Sequence, residues 1–374
     1  MTLYFQKYNT KGAYIKMKKR MLAGFLAVAL MLSSIAGCQP SSEQDQTQSE
    51  TTETKIFTDS TGRKVEVPKK IERVAVSGAI ASMVILAFAP EMMVGLSGST
   101  AKDVEQYFPE SYLELPVLGQ LYGGTSELNL EELMLAAPQV IIDIGTAKNS
   151  TKEDMDKITD QTGIPAVHVH YTMAEAGDTF RMLGELLGVE ERGEEYATYC
   201  ETVYDRAVDI ANKVEKKDLL YVLGIDGYSV IATGSYQSEL IDLMSNNLAV
   251  VDNPSSKGTG NTVEMEQLLV WNPEVIIFSA EGLYDQVAND PAWQQMKAIQ
   301  NGTYYEVPFG PYNWMGFPPS VQRYLGLLWM AELLYPEAVE YDLREEVKTY
   351  YNMFYHKELT DAQYDQLVAK SLGK

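Results

Sequence analysis

The sequence predicts an α/β protein of two Rossmann-like lobes with mostly parallel sheets, joined by one long helix. Three observations predict it. Short β-rich runs alternate with helical patterns along most of the chain, which is the signature of a parallel sheet covered by helices. Two stretches read as copies of each other: Leu128 to Asp143 is LNLEELMLAAPQVIID and Val263 to Phe278 is VEMEQLLVWNPEVIIF. Between the two sets of elements runs one uninterrupted polar helical pattern, from about Glu190 to Val214.

In chain order, the first lobe places strands at Arg73 to Ser77, Met93 to Ser97, Val140 to Ile144 and Ala166 to His170, with helices such as Ala79 to Ala87 between them. The linking pattern has no proline and only Gly193 near its start. Its roughly 24 residues, at about 1.5 Å each, reach about 36 Å, enough to bridge two lobes. A flexible hinge would instead show clusters of Gly, Pro and Ser. The second lobe repeats the scheme with strands near Leu219 to Leu223, Ser229 to Ala232, Val275 to Ser279 and Thr303 to Val307. Helical patterns at Pro319 to Leu334, Leu343 to Tyr355 and after Asp361 close the chain. The expected boundaries are 1–37 for a signal peptide, 38–54 for a tether, 55–189 for the first lobe, 190–215 for the linking helix and 216–374 for the second lobe.

The beginning of the chain carries an address. Lys18, Lys19 and Arg20 precede an apolar run from Met21 to Leu32, and small residues lead to Cys38 in the sequence Ile35-Ala36-Gly37-Cys38. This resembles a bacterial lipobox, which implies lipidation of Cys38 and a protein held on the outer face of the cell membrane. An apolar run of about a dozen residues falls short of the roughly 20 that span hydrocarbon. Met17 is the better start, because MKKRMLAGF opens a compact signal. Gln39 to Thr54 lacks apolar residues and cannot build a core.

The 374 residues carry a net charge of −22, and losing the six cations of residues 1–37 leaves about −28. Such acidity excludes nucleic acid as a partner and favours cationic ligands or a basic docking surface. With two cysteines in all, and one of them Cys38, Cys200 has no partner for a disulfide framework and is expected as a small hydrophobe on a helix.

In each repeated unit a glutamate, Glu131 or Glu266, stands in the first turn of a short helix. Asn129 followed by Glu132 resembles a capping box, which puts Glu131 at the second helical position. One acid there contributes roughly 0.3 to 1 kcal/mol through the helix dipole and needs no other role. Two at matched positions of a repeat suggest a symmetric docking device. His168 and His170 alternate onto one strand face, where His170 is a candidate to touch a metal-bearing ligand. With three histidines in all and no HExxH or CxxC, neither a protein-built metal site nor a cofactor is expected. No catalytic residues are assigned: Gly95-Leu96-Ser97-Gly98-Ser99 lacks the final glycine of a nucleophile elbow.

The lipobox, tether, paired lobes, linking helix and glutamate units together resemble the substrate-binding proteins of ABC importers. Specifically they resemble the helix-linked class III, which serves iron-siderophore, haem and cobalamin uptake. The likeness runs from about residue 55 to the end, with residues 310–336 matching a stretch common in iron-complex members. It implies a monomeric receptor, not an enzyme, that captures an iron(III) chelate or a metal-tetrapyrrole and docks on an ABC permease dimer. Glu131 and Glu266 would then pair with permease arginines.

Ligand contacts are expected at the carboxyl ends of the strands, between the lobes. In the first lobe these are Ser77-Gly78, Ser97-Gly98-Ser99, Tyr122-Gly123-Gly124 and His170. In the second they are Gly227-Tyr228, the loop Gly258 to Asn261, and Tyr312, Trp314 and Phe317, with Arg323 as the nearby cation. Loop aromatics offer rigid faces to a planar or chelated ligand. Several iron-complex relatives carry an acidic residue and an arginine where this chain has Gly316 and Phe317. That departure favours a neutral or cationic chelate, or an apolar tetrapyrrole edge. Two other readings remain open. Molybdate or tungstate would be held by hydroxyls and amides of Ser97 to Thr100 and Gly258 to Asn261. A lipid-anchored hydrolase would require a nucleophile with a positioned base.

Overall fold

The computed structural model describes residues 53–122, 127–280 and 282–372. The signal segment, Cys38 and all of the tether before Glu53 lie outside these residues, as do Gly123 and Gly124. Thr54, expected to end the tether, instead opens the first strand.

That strand belongs to a hairpin absent from the sequence reading: β1 (Thr54–Thr58) pairs antiparallel with β2 (Lys64–Pro68). Phe57, Val65 and Val67 face inward while Ile56, Lys64 and Glu66 face outward. The first sheet follows, with β3 (Val74–Val76), β4 (Val140–Gly145) and β5 (Ala166–His170) parallel in the order β3-β4-β5. Residues 93–97, expected as a strand, make only isolated bridges from Met93 to Val74 and from Leu96 to Val117. At Gly95 the chain lies so close to Leu118 that an added Cβ would fall 2.5 Å from its side chain.

The second sheet contains β6 (Asp218–Leu223), β7 (Ser229–Val230), β8 (Asn246–Asn247), β9 (Asn261–Thr262), β10 (Val275–Phe278) and β11 (Tyr304–Glu306). Its order is β11-β10-β6-β7-β9, with β8 beside β6. The sheet is mixed: β8, β6, β10 and β11 are parallel, whereas β7 is antiparallel to both β6 and β9.

Both sheets are covered on two faces, and the strand alternation shows it. Val74, Val76, Ile142, Ile144, Val167 and Val169 join one apolar cluster, while Ala75, Ile141 and Ala166 join another on the opposite face. In the second sheet Leu219, Tyr221, Val275 and Ile277 join the same large cluster, and Leu220, Val222, Ile276 and Phe278 face away from it. One continuous core therefore runs under both sheets.

The helix Glu190–Lys213 runs through this shared core. Its buried stripe of Tyr196, Ala197, Cys200, Val203, Ala207 and Ile210 follows helical spacing. It packs on the helices Ala79–Phe88 and Ala176–Leu187 from the first half and on Glu239–Met244 and Arg323–Leu334 from the second. The Tyr196 hydroxyl lies 2.6 Å from both the Ala87 and Met353 carbonyls, tying the first lobe to the helix Leu343–Phe354. Cys200 is free and buried, and burial pushes its thiol pKa up, so it stays protonated. The helix expected from Pro319 begins instead at Arg323, after a turn that follows Pro318 and Pro319.

Candidate functional site

The carboxyl ends of β3, β4 and β5 face a cleft of ≈ 700 Å³ that Tyr236, Ser256 and Pro318 of the second lobe complete. Two smaller cavities follow from it in series, each sharing wall residues with the one before. One, of ≈ 250 Å³, shares Ala79 and Gln120 with the main cleft and is bordered by Ser97, Ser99 and Thr100. The other, of ≈ 320 Å³, shares Phe309 with the ≈ 250 Å³ cavity and sits at the ends of β6 and β10, beside Gly258, Thr259 and Phe317. This is the crevice that open α/β sheets place beyond their strand ends.

The floor of the main cleft is a buried polar group. Asp143 on β4 and His168 on β5 are register partners, and Asp143 Oδ2 lies 2.6 Å from His168 Nδ1. Ser77, just past β3, donates its hydroxyl to the other Asp143 oxygen. His168 is 1% exposed, and its Nε2 has no hydrogen-bond partner among the described residues. A carboxylate on Nδ1 fixes the ring and leaves Nε2 for an outside partner, the arrangement by which proteins orient a histidine toward a ligand.

Beside this floor, Tyr122 donates its hydroxyl to Asp154 at 2.8 Å, and Lys148 Nζ sits 4.1 Å from the centre of its ring. Burial, the Asp154 hydrogen bond and the charge of Asp143 all push the Tyr122 phenol well above its ordinary pKa, so it remains a donor. The helix Ala79–Phe88 starts at the cleft wall with Gly78 as its N-cap, which supplies no side-chain oxygen, and its first turn carries no acid. Its first N–H groups and positive dipole end therefore face the cleft. Apart from tyrosines, the ionisable residues lining the three cavities are Asp143, Lys148 and His168 among the described residues. The cleft is close to neutral in a strongly acidic chain.

The structure brings together Ser77, Gly78, Tyr122, Ser97, Gly98, Ser99, Gly258, Thr259, Tyr312 and Phe317 around these cavities. Other sequence candidates lie elsewhere. Trp314 is 0% exposed, a core residue and not a cleft wall. Arg323 is equally buried, with Nη1 2.9 Å from Glu239 and Nη2 2.9 Å from the Tyr236 carbonyl, so its charge is spent inside the second lobe. Asn261 staples its own loop, accepting from the Ser255 N–H at 2.8 Å and donating to the Asn253 carbonyl at 2.9 Å. Tyr228 is exposed and outside the cleft lining, and His170 is half-exposed and bound to Glu175 at 2.9 Å. Of the two alternating histidines, His168 is the one at the cleft. Its signal was the charged Asp143 inside the apolar run VIIDIG, which no exposed strand face explains.

The two glutamates occupy identical local positions. Glu131 is the second residue of the helix Leu130–Leu135, whose N-cap Asn129 accepts from the Glu131 and Glu132 N–H groups at 3.1 and 3.2 Å. Glu266 is the second residue of the helix Met265–Trp271, which has no side-chain cap. Both glutamates are exposed.

Two covered sheets, one rigid connecting helix and a crevice between strand ends define a two-lobed solute receptor of ABC importers, a binding protein and not an enzyme. The chain belongs to the periplasmic binding protein family, whose model matches residues 74–310. It is 23% identical over 331 residues to the molybdate-binding protein MolA of Haemophilus influenzae, covering 80% of this chain and 91% of that one. It is 22% identical over 294 residues to the Fe(3+)-citrate-binding protein YfmC of Bacillus subtilis, covering 77% and 89% respectively. An ABC transporter solute binding protein from Sulfurospirillum deleyianum superimposes with a TM-score of 0.76 at 28% identity, over 83% of this chain and 98% of that one. The family is extracytoplasmic, and no helix among the described residues is long and apolar enough to cross a membrane.

Proposed function

We propose that the protein is a lipid-anchored receptor that captures an iron(III) chelate, or a related metal-tetrapyrrole such as haem or cobalamin, and delivers it to an ABC permease. The observation that carries this reading is the cleft: ≈ 700 Å³, walled by Tyr122, Tyr236, Ile80 and Pro318, with few charges and one oriented histidine on its floor. Pockets of roughly 300 to 1,000 Å³ suit ligands of drug size, far larger than a bare oxyanion. The near-neutral lining fits a chelate whose ligand atoms already balance the metal's charge. YfmC, named for ferric citrate, is one relative that supports a chelate.

In this reading Tyr122 and Tyr312 are ligand contacts, Cys38 is the lipidated residue, and the protein acts as a monomer. Glu131 and Glu266 are the permease-docking carboxylates. Each stands exposed in the first turn of the short helix that precedes a strand of its own sheet. Exposed charges at such a surface steer orientation and association rate.

A second reading is an oxyanion such as molybdate. The hydroxyls of Ser97, Ser99 and Thr100 border the ≈ 250 Å³ cavity, and MolA is named for molybdate. Mass spectrometry of small molecules released from protein purified out of its native host separates the two. A bound chelate or tetrapyrrole supports the first reading, and molybdenum or tungsten in stoichiometric amount replaces it with the second.

A further inference from the structure

The repeated unit is matched in three dimensions beyond its glutamates. Leu133 and Leu268 are both 0% exposed, anchoring each helix to its sheet. Ala137 and Asn272 end the two helices with φ values of 44° and 42°. The most exposed apolar residue is the same one in each copy: Leu135 is 78% exposed and Val270 is 77% exposed, against 47% for Met134 beside Leu135. A single exposed leucine on a soluble protein has no meaning, because much of any surface is apolar. Two at equivalent positions of diverged copies are a different matter, since drift alone would place a polar residue at one of them.

Leu135 lies four residues after Glu131, and Val270 four after Glu266, so each pair shares one helix face. Each lobe therefore presents a carboxylate with a branched apolar side chain one turn behind it. We infer that Leu135 and Val270 are paired apolar contacts through which the two lobes grip a partner protein carrying two equivalent copies of a surface, each an apolar socket beside a cation. The inference rests on the docking reading of Glu131 and Glu266 and names the groups that hold the complex together once those carboxylates have oriented it. Duplication on this chain calls for duplication on the partner, as in a homodimer or a pair of similar subunits. A second copy of this chain fits poorly, because it would set carboxylate against carboxylate in a molecule of net charge −22.

The two kinds of group leave different kinetic signatures. Rim carboxylates act on association and on its salt dependence. A buried apolar side chain acts on dissociation, by about tenfold or more for each residue.

The test measures binding of the purified protein to the purified ABC permease in lipid nanodiscs by surface plasmon resonance at two salt concentrations. Glu131→Gln with Glu266→Gln should slow association and flatten its salt dependence. Leu135→Ser with Val270→Ser should leave association and the unfolding temperature nearly unchanged but speed dissociation by about a hundredfold. If the glutamate pair behaves so and the serine pair dissociates like the parent, this inference fails while the docking reading stands. If the serine pair loses binding while the glutamate pair matches the parent, the apolar contacts stand and the glutamate reading falls. Both pairs behaving like the parent overturns both. Concentration-dependent self-association of the parent, abolished in the serine pair, would assign the surface to a second copy instead.

Discussion

His168 and Asp143 meet at 2.6 Å on adjacent strands in the floor of the cleft, with Ser77 donating to the same carboxylate. Removing the acid strands a buried ring. Asp143→Ala should destabilise the protein by about 1–3 kcal/mol in urea unfolding at neutral pH, the cost of a buried polar group losing its partner. With His168→Leu added, part of that loss should return, because only the Ser77 hydroxyl is then left without its acceptor. Additive losses would show that the two residues do not act as a pair.

The turn between β1 and β2 predicts a pH dependence. Asp59 is buried, which alone would raise its pKa, but hydrogen bonds from the Thr61 hydroxyl and from the Arg63, His168 and Thr61 N–H groups outweigh burial and hold it below the ordinary value. Its stabilisation is thus fully present above the unfolded value of about 3.9 and is lost as pH falls through the lower folded value. Asp59→Asn should be less stable than the parent at pH 7, and the gap should close under acid conditions. A gap that stays constant from pH 7 to pH 3 in urea titrations would rule this out.

Gly193 appears in the sequence as a blemish in a long helix, yet the structure gives it a packing role. A Cβ there would fall 2.8 Å from the Phe180 carbonyl and 3.2 Å from Gly184 Cα, where the helices Ala176–Leu187 and Glu190–Lys213 touch. Gly193→Ala should lower the unfolding temperature, although alanine is favoured by about 1 kcal/mol in an isolated helix. A rise in that temperature would show that the contact is slack.

Arg323 separates a ligand contact from a structural ion pair. Replacing it with Met should cost stability by about 3–5 kcal/mol, because Glu239 and the Tyr236 carbonyl lose a buried donor. Ligand affinity of the folded fraction should change little. A large affinity loss with unchanged unfolding would return Arg323 to the cleft.

Most of the architecture was legible because apolar runs of β-branched residues mark buried parallel strands whichever lobe they sit in. The helix Glu190–Lys213 matched its pattern nearly to the residue. The hairpin Thr54–Pro68 was missed because its inward set is only Phe57, Val65 and Val67, and the apolar Ile56 on the outward face beside Phe57 breaks the alternation. The mixed character of the second sheet rests on two-residue strands, β7 and β9, too short to leave a pattern. At the site, the loops were found more reliably than the side chains. Ser77 follows β3, Ser97 and Tyr122 follow short bridged segments, and all three reach the cavities, whereas Trp314 sits in an irregular segment and turns into the core. Aromatics in irregular segments carry no periodicity to tell the two directions apart.

Intrinsic fluorescence titration, with the tyrosines of the cleft and the buried tryptophans as reporters, tests the central claim most directly. Ferric citrate, a ferric hydroxamate, haemin, cobalamin and molybdate are each added to the purified protein. Saturable quenching by one metal chelate, weakened in Tyr122→Ala, is the expected result. A response to molybdate alone, or to none of the five, would contradict a chelate receptor.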